Sequence, residues 1–253
     1  MAYRDEGDGN PIVFLHAFPL NQTMWDDQVK AFCENHRVIT FDWRGFGKST
    51  LGTESTTMNL FADDLACLLD ALGVDLATIC GLSMGGYAAL AFYRKYADRV
   101  SALILADTRA NRDTEEGKRA RYEMAELARK SGPSALVEIM IPRLIGATKL
   151  QNNPRIAEQV QNMVESNSAE GIAQALLGMA ERDDSTDLLA QINCPTLVIA
   201  GSEDKLTPPS EAEKMSEAIC NANFEVISGA GHLPNIEHPG DFNRVITQFL
   251  NEL

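Results

Sequence analysis

Leu76-Ala77-Thr78-Ile79-Cys80-Gly81-Leu82-Ser83-Met84-Gly85-Gly86-Tyr87 decides the reading of this chain. Leu76 to Cys80 is a short apolar run of strand character, and Tyr87 to Tyr96 sets small against large apolar residues at helical spacing. Between them, Gly81 to Gly85 fits G-x-S-x-G, the pattern in which a serine sits on a sharp turn from strand to helix. A side chain at 81 or 85 would crowd such a turn, and the helix behind it aims its positive N-terminal end at the reacting atom. Ser83 is therefore the candidate nucleophile.

Outward from this turn, similar apolar runs recur at Ile12 to Leu15, Val38 to Phe41, Val100 to Ala106, Pro195 to Ala200 and Phe224 to Ile227. Helical segments separate most of them. Phe61, Leu65, Leu68, Leu69 and Leu72 share one helical face before the stop at Gly73, and Phe242, Val245, Ile246 and Phe249 do the same near the C-terminus. Strands alternating with helices call for a mostly parallel sheet flanked by helices, an α/β fold. Residues 111–187 interrupt the alternation: helical patterns are broken at Gly132-Pro133, Pro142 and Asn152-Asn153-Pro154, and no strand is convincing. The expected organisation is a core of residues 1–110 and 188–253 with residues 111–187 inserted as a helical cap. Met124, Met140, Met163 and Met179 fall in that cap and could line an adaptable apolar pocket.

A chain of 253 residues with 45% hydrophobic composition is large enough for a full core. The N-terminus is polar and carries no signal-like apolar region, and no run approaches the ~18 residues of a membrane span. A soluble, cytoplasmic protein is expected, with no membrane partner. The five cysteines show no metal-ligand or redox spacing, so free thiols are expected and neither a metal nor a cofactor is assigned. The net charge of −14 argues against nucleic acid as a partner. It is unevenly spread, since residues 111–187 hold 10 of the 22 basic and 13 of the 36 acidic side chains, a balance of −3 against −11 elsewhere.

A serine hydroxyl needs a base to take its proton, and the base needs a carboxylate to fix its tautomer. His232, in Gly231-His232-Leu233-Pro234 after the last strand-like run, is the candidate base. Asp204, in Gly201-Ser202-Glu203-Asp204 after the run ending at Ala200, is the candidate acid; Glu203 and Asp107 compete for that role. The chain order is then Ser, Asp, His. Two backbone N–H groups are needed for an oxyanion, and Met84, after the nucleophile, and Phe18, in the loop after the first run, can supply them. His16 reads as a brace for that loop, and His36 and His238 as surface or bracing residues.

With these motifs in order, together with Asp42-Trp43-Arg44-Gly45-Phe46-Gly47-Lys48-Ser49, the chain resembles the α/β-hydrolase superfamily over nearly its full length. Within it, the chain is most similar to small-cap carboxylesterases and 3-oxoadipate enol-lactonases, through Asp107-Thr108-Arg109 entering the cap and Arg182-Asp183 leaving it. The resemblance implies hydrolysis of a small-molecule carboxylic ester or lactone through an acyl-enzyme. It leaves open cofactor-free C–C bond hydrolysis, perhydrolysis, or a ligand-sensing or signalling role with the triad retained, and it leaves oligomeric state open. Two departures stand out: the N-terminal hairpin is expected to be truncated, with Ala2-Tyr3-Arg4 as a remnant of its second strand, and Ala17 stands where glycine is frequent, which requires a negative φ. Arg109, Arg112 and Arg143 are candidates for pairing with a substrate carboxylate.

Overall fold

The computed structural model describes all 253 residues. Seven strands, β1 (Tyr3–Glu6), β2 (Pro11–Leu15), β3 (Arg37–Phe41), β4 (Ala77–Leu82), β5 (Val100–Ala106), β6 (Thr196–Gly201) and β7 (Ala222–Ile227), form one sheet in the order β1-β3-β2-β4-β5-β6-β7. Every pairing is parallel except that of β1 with β3, whose register sets Tyr3 opposite Phe41. The central strands are apolar without alternation because both faces of a parallel sheet are covered, and β4 and β6 are buried at every position. β1 occupies one edge and β7 the other, with Asn223, Glu225 and Val226 exposed.

The helices are α1 (Asp26–Phe32), α2 (Met58–Ala71), α3 (Met84–Tyr96), α4 (Glu115–Ser131), α5 (Ser134–Leu144), α6 (Ala147–Asn152), α7 (Arg155–Glu165), α8 (Ala169–Ala180), α9 (Thr186–Leu189), α10 (Pro209–Ala218), α11 (Pro234–Glu237) and α12 (Pro239–Leu250). None is long and apolar enough to cross a membrane. α2 begins at Thr57, whose side chain accepts the Leu60 N–H, and buries Phe61, Leu65, Leu68 and Leu69. It packs on α3, while α12 packs on α1. Between β5 and β6 the chain forms α4 to α9 and no strand. The breaks fall where the sequence marks them: Gly132, at φ 79°, separates α4 from α5, and Asn153-Pro154 separates α6 from α7. Pro142 is different, lying inside the last turn of α5, where a lost amide donor disturbs only the end of the helix.

Candidate active site

β4 runs two residues further than its apolar stretch suggests, to Leu82, so Ser83 stands directly between strand and α3 with φ 55° and ψ −113°. That strained backbone is held from both sides. The Ser83 N–H donates to Ala106 O at 2.9 Å, and its carbonyl accepts from Gly86 N at 2.9 Å, Tyr87 N at 3.2 Å and Thr108 Oγ1 at 2.8 Å. The turn closes only without side chains at its glycines, since a Cβ on Gly81 would run into Gly85 and one on Gly85 into the Leu15 carbonyl.

Three loops at the ends of β4, β6 and β7 bring the serine, the acid and the histidine together. His232 Nε2 lies 2.8 Å from Ser83 Oγ, and His232 Nδ1 lies 2.7 Å from Asp204 Oδ2. Asp204 also accepts from Leu206 N at 2.8 Å, Thr207 N at 3.1 Å and Thr207 Oγ1 at 2.5 Å. Burial alone would push its carboxyl up, but His232 beside it and the Thr207 donors outweigh burial and hold it down at about 2. Glu203 turns away and accepts from Thr148 Oγ1 at 2.5 Å. The His232 loop is fixed by Glu237, which accepts from Gly231 N, Leu233 N and Gly146 N, and by the His232 N–H donating to Leu144 O at 3.0 Å. Gly146 and Leu144 border the α5–α6 connection, so the inserted helices help to set the histidine.

Phe18 lies with Ser83 and His232 on the wall of a cavity of about 160 Å³. The N–H groups of Phe18 and Met84 have no acceptor elsewhere in the chain, which leaves both available. Ala17 is not among the residues with positive φ. Met124, Met140 and Met179 line the cavity; Met163 does not, and faces a polar recess near Asn21 and Lys48 instead.

Of the three arginines singled out in the sequence, Arg109 and Arg143 line the cavity and Arg112 does not. Arg112 is exposed because its neighbour Asp113 turns inward, and its own N–H donates to Asp184 at 3.1 Å. Two arginines that the sequence did not single out for substrate binding join them. Arg121 lies on the cavity wall and donates to Asp113 at 2.5 Å; Arg182 pairs with Asp113 at 2.9 Å and stacks 4.2 Å from the centre of the Tyr87 ring. Tyr87 could have been found by spacing, since it lies one helical turn beyond Ser83. Burial would raise its phenol, but Arg182, Arg121 and Arg109 outweigh burial and hold it below its usual value. The result is three guanidinium groups, those of Arg109, Arg121 and Arg182, around one buried carboxylate, with Arg143 on the cavity wall in no ion pair and the Nε atoms of Arg109 and Arg182 buried without a partner.

Asp107, Asp204 and His232 each present one atom that could bind a metal, all within 4.8 Å of one another. Two of these groups already share the 2.7 Å hydrogen bond, and His232 turns its other nitrogen to Ser83.

Comparison with known proteins agrees with this architecture. The chain is 35% identical to 3-oxoadipate enol-lactonase 1 of Acinetobacter baylyi over 242 residues, 96% of this chain and 89% of that one. Among solved structures it is similar to a thermophilic esterase from Thermogutta terrifontis, determined with malate bound, at TM-score 0.97 and 46% identity, covering 99% of this chain and 93% of that one. It is also similar to the enol-lactonase of Burkholderia xenovorans LB400, at TM-score 0.92 and 28% identity, covering 98% and 95% of the two chains. Residues 10–239 match the α/β hydrolase fold family, and a parallel sheet with a serine-bearing turn after its central strand is what that match describes in three dimensions: the chain belongs to the α/β hydrolase fold family.

Proposed function

We propose that this protein is a serine hydrolase of small carboxylic esters or lactones, with Ser83, His232 and Asp204 as its triad and residues 111–187 as a cap over the cleft. The carrying observation is the continuous hydrogen-bonded line from Ser83 Oγ through His232 to Asp204, at 2.8 and 2.7 Å, beside a cavity. In the proposed reaction Ser83 Oγ attacks the acyl carbon while His232 Nε2 takes its proton. The carbonyl oxygen becomes an oxyanion held by the Phe18 and Met84 N–H groups. As the tetrahedral species collapses, the acyl–oxygen bond breaks and His232 returns the proton to the leaving alkoxide. Water then attacks the acyl-enzyme by the same steps, giving its proton to His232, which passes it back to Ser83 Oγ. Asp204, ionised and turned to Nδ1, fixes the tautomer that leaves Nε2 free and stabilises the transient imidazolium.

The arginine-rich wall supports a narrower reading, in which the substrate carries a carboxylate besides the bond to be cleaved. Three guanidinium groups, those of Arg109, Arg121 and Arg143, line the cavity with a single buried carboxylate, Asp113, which leaves positive charge for a ligand to neutralise. The names of the similar proteins, esterase and enol-lactonase, accord with both parts of the proposal. We also propose a cytoplasmic location, with which the five free cysteines are compatible.

The test is a panel of p-nitrophenyl esters and small lactones with wild type and Ser83→Ala. Loss of kcat by roughly 10⁴-fold or more, with the fold retained, is expected because removing one triad member disables the unit. A fluorophosphonate should label Ser83 and no other serine. Activity of Ser83→Ala within tenfold of wild type would place the nucleophile elsewhere.

A further inference from the structure

Asp107 ends β5 with φ 42°, a left-handed conformation that aspartate and asparagine tolerate better than most residues. Its side chain is completely buried. Oδ1 accepts the Gly201 N–H at 2.8 Å, whereas Oδ2 is buried and receives no hydrogen bond from any donor. One carboxylate oxygen of Asp107, one of Asp204 and a ring nitrogen of His232 lie within 4.8 Å of one another. Two buried carboxyl groups this close do not both ionise, so they share one negative charge. Asp204 holds that charge, because it accepts from His232, Thr207 Oγ1 and two backbone amides, while Asp107 accepts from one amide. Burial, and then the charge of Asp204, push the Asp107 carboxyl well above its usual range; the Gly201 N–H opposes this more weakly.

We propose that Asp107 is a positioning residue for the triad, a neutral carboxylic acid at pH 7 whose Oδ2–H donates to Asp204 and steadies that carboxylate against His232. The inference rests on the triad reading above. A donor on the far side of Asp204 draws charge from the oxygen facing His232, so that oxygen attracts a positive charge on the imidazole ring less strongly than it would without the donor. The other charged groups near this pair are Glu237, behind the His232 loop, and Arg109, Arg121 and Arg143 across the cavity.

Asparagine at 107 reproduces the protonated acid, with a carbonyl for Gly201 N and an N–H for Asp204, and alanine removes the donor. The experiment combines infrared difference spectra at pH 7 with the pH profile of kcat/KM. Asp107→Asn is expected to abolish one carboxylic-acid C=O band, in a Ser83→Ala background as well, and to leave the acid limb of the profile in place. Asp107→Ala is expected to move that limb upward by about half to one pH unit, the size of one charged hydrogen bond. If Asp107→Asn removes no such band and moves the limb to lower pH, Asp107 is ionised and the proposal is overturned. Should the alanine variant not fold, the asparagine pair of measurements decides the matter. A band lost on Asp107→Asn with Ser83→Ala still active would instead locate the failure in the triad reading.

Discussion

His16 is fully buried and its two ring nitrogens have opposite duties: Nδ1 donates to Ala17 O at 3.0 Å, and Nε2 accepts the Trp43 N–H at 3.1 Å. Protonation would place a hydrogen where Trp43 already donates, and burial, the largest influence, pushes the ring down to about 4 despite Ala17 O and Asp42. A histidine with a folded value below its unfolded value of 6.5 leaves stability unaffected above 6.5 and subtracts from it as the pH falls toward 4. The loss should reach roughly 3 kcal/mol at pH 4. Urea denaturation of wild type and His16→Gln across that window checks it, and a slope unchanged by the substitution would remove His16 as its source. At the cavity wall, Arg143 gives the cleanest test of charge recognition, because it has no ion pair to disrupt; Arg121→Ala would also remove one of the ion pairs of Asp113. Arg143→Ala and Arg109→Ala should raise KM for a carboxylate-bearing ester about 10-fold or more and leave a neutral isostere nearly unchanged, as expected for a charge-assisted hydrogen bond. Equal changes for both substrates would contradict the anionic-substrate reading.

One of the tight contacts of the inserted helices with the core lies at the start of α8. Ser168 Oγ accepts the Gly171 N–H at 2.9 Å and donates to Gly45 O at 3.0 Å. Asn167 spans the junction, donating to Pro19 O at 2.7 Å and accepting from Gly47 N at 2.7 Å. A Cβ on Gly171 would collide with the Gly45 backbone, so Gly171→Ala should destabilise by about 1–3 kcal/mol even though alanine favours a helix. A lowered urea midpoint at constant m, with earlier proteolysis inside residues 111–187, is the expected result; an unchanged midpoint would mean that the two backbones can separate at little cost. Elements of this kind differ in how far the sequence discloses them. The turn at Ser83 and the helices α2 and α12 are legible because strand run, glycines and helical face lie within a few residues of one another. β1 is legible only as a fragment, since Tyr-Arg-Asp-Glu carries little apolar signal and its partner β3 begins 34 residues after it. α10 escapes for a similar reason: it buries only Ala212, Met215 and Ser216 on an otherwise polar helix. The pairing of Asp113 with Arg121 and Arg182 is illegible locally, because packing of α4 against α8 brings together charges that in the sequence look like ordinary solvated residues, and Arg182 enters the sequence reading only through the resemblance carried by Arg182-Asp183.

Seen as one charge distribution, the molecule sets a cationic pocket into a body of net charge −14. The two fields act over different ranges. The arginines reach a ligand at contact distance in a partly buried cavity, where salt screens weakly, whereas the acidic surface repels an approaching anion through solvent over a Debye length of about 30 Å at 0.01 M salt and about 10 Å at 0.1 M. For a substrate bearing a carboxylate, kcat/KM should therefore rise between these concentrations, as screening removes the long-range repulsion before it weakens the arginine contact. A neutral ester of the same shape should show no such rise. Stopped-flow measurements on the pair, repeated with Arg143→Ala, separate the two fields: the variant should lose affinity for the anion yet keep the salt-dependent increase, because that increase belongs to the surface as a whole. A fall in kcat/KM with salt for the anionic substrate alone would show the opposite order, with the arginine pocket governing approach as well as contact.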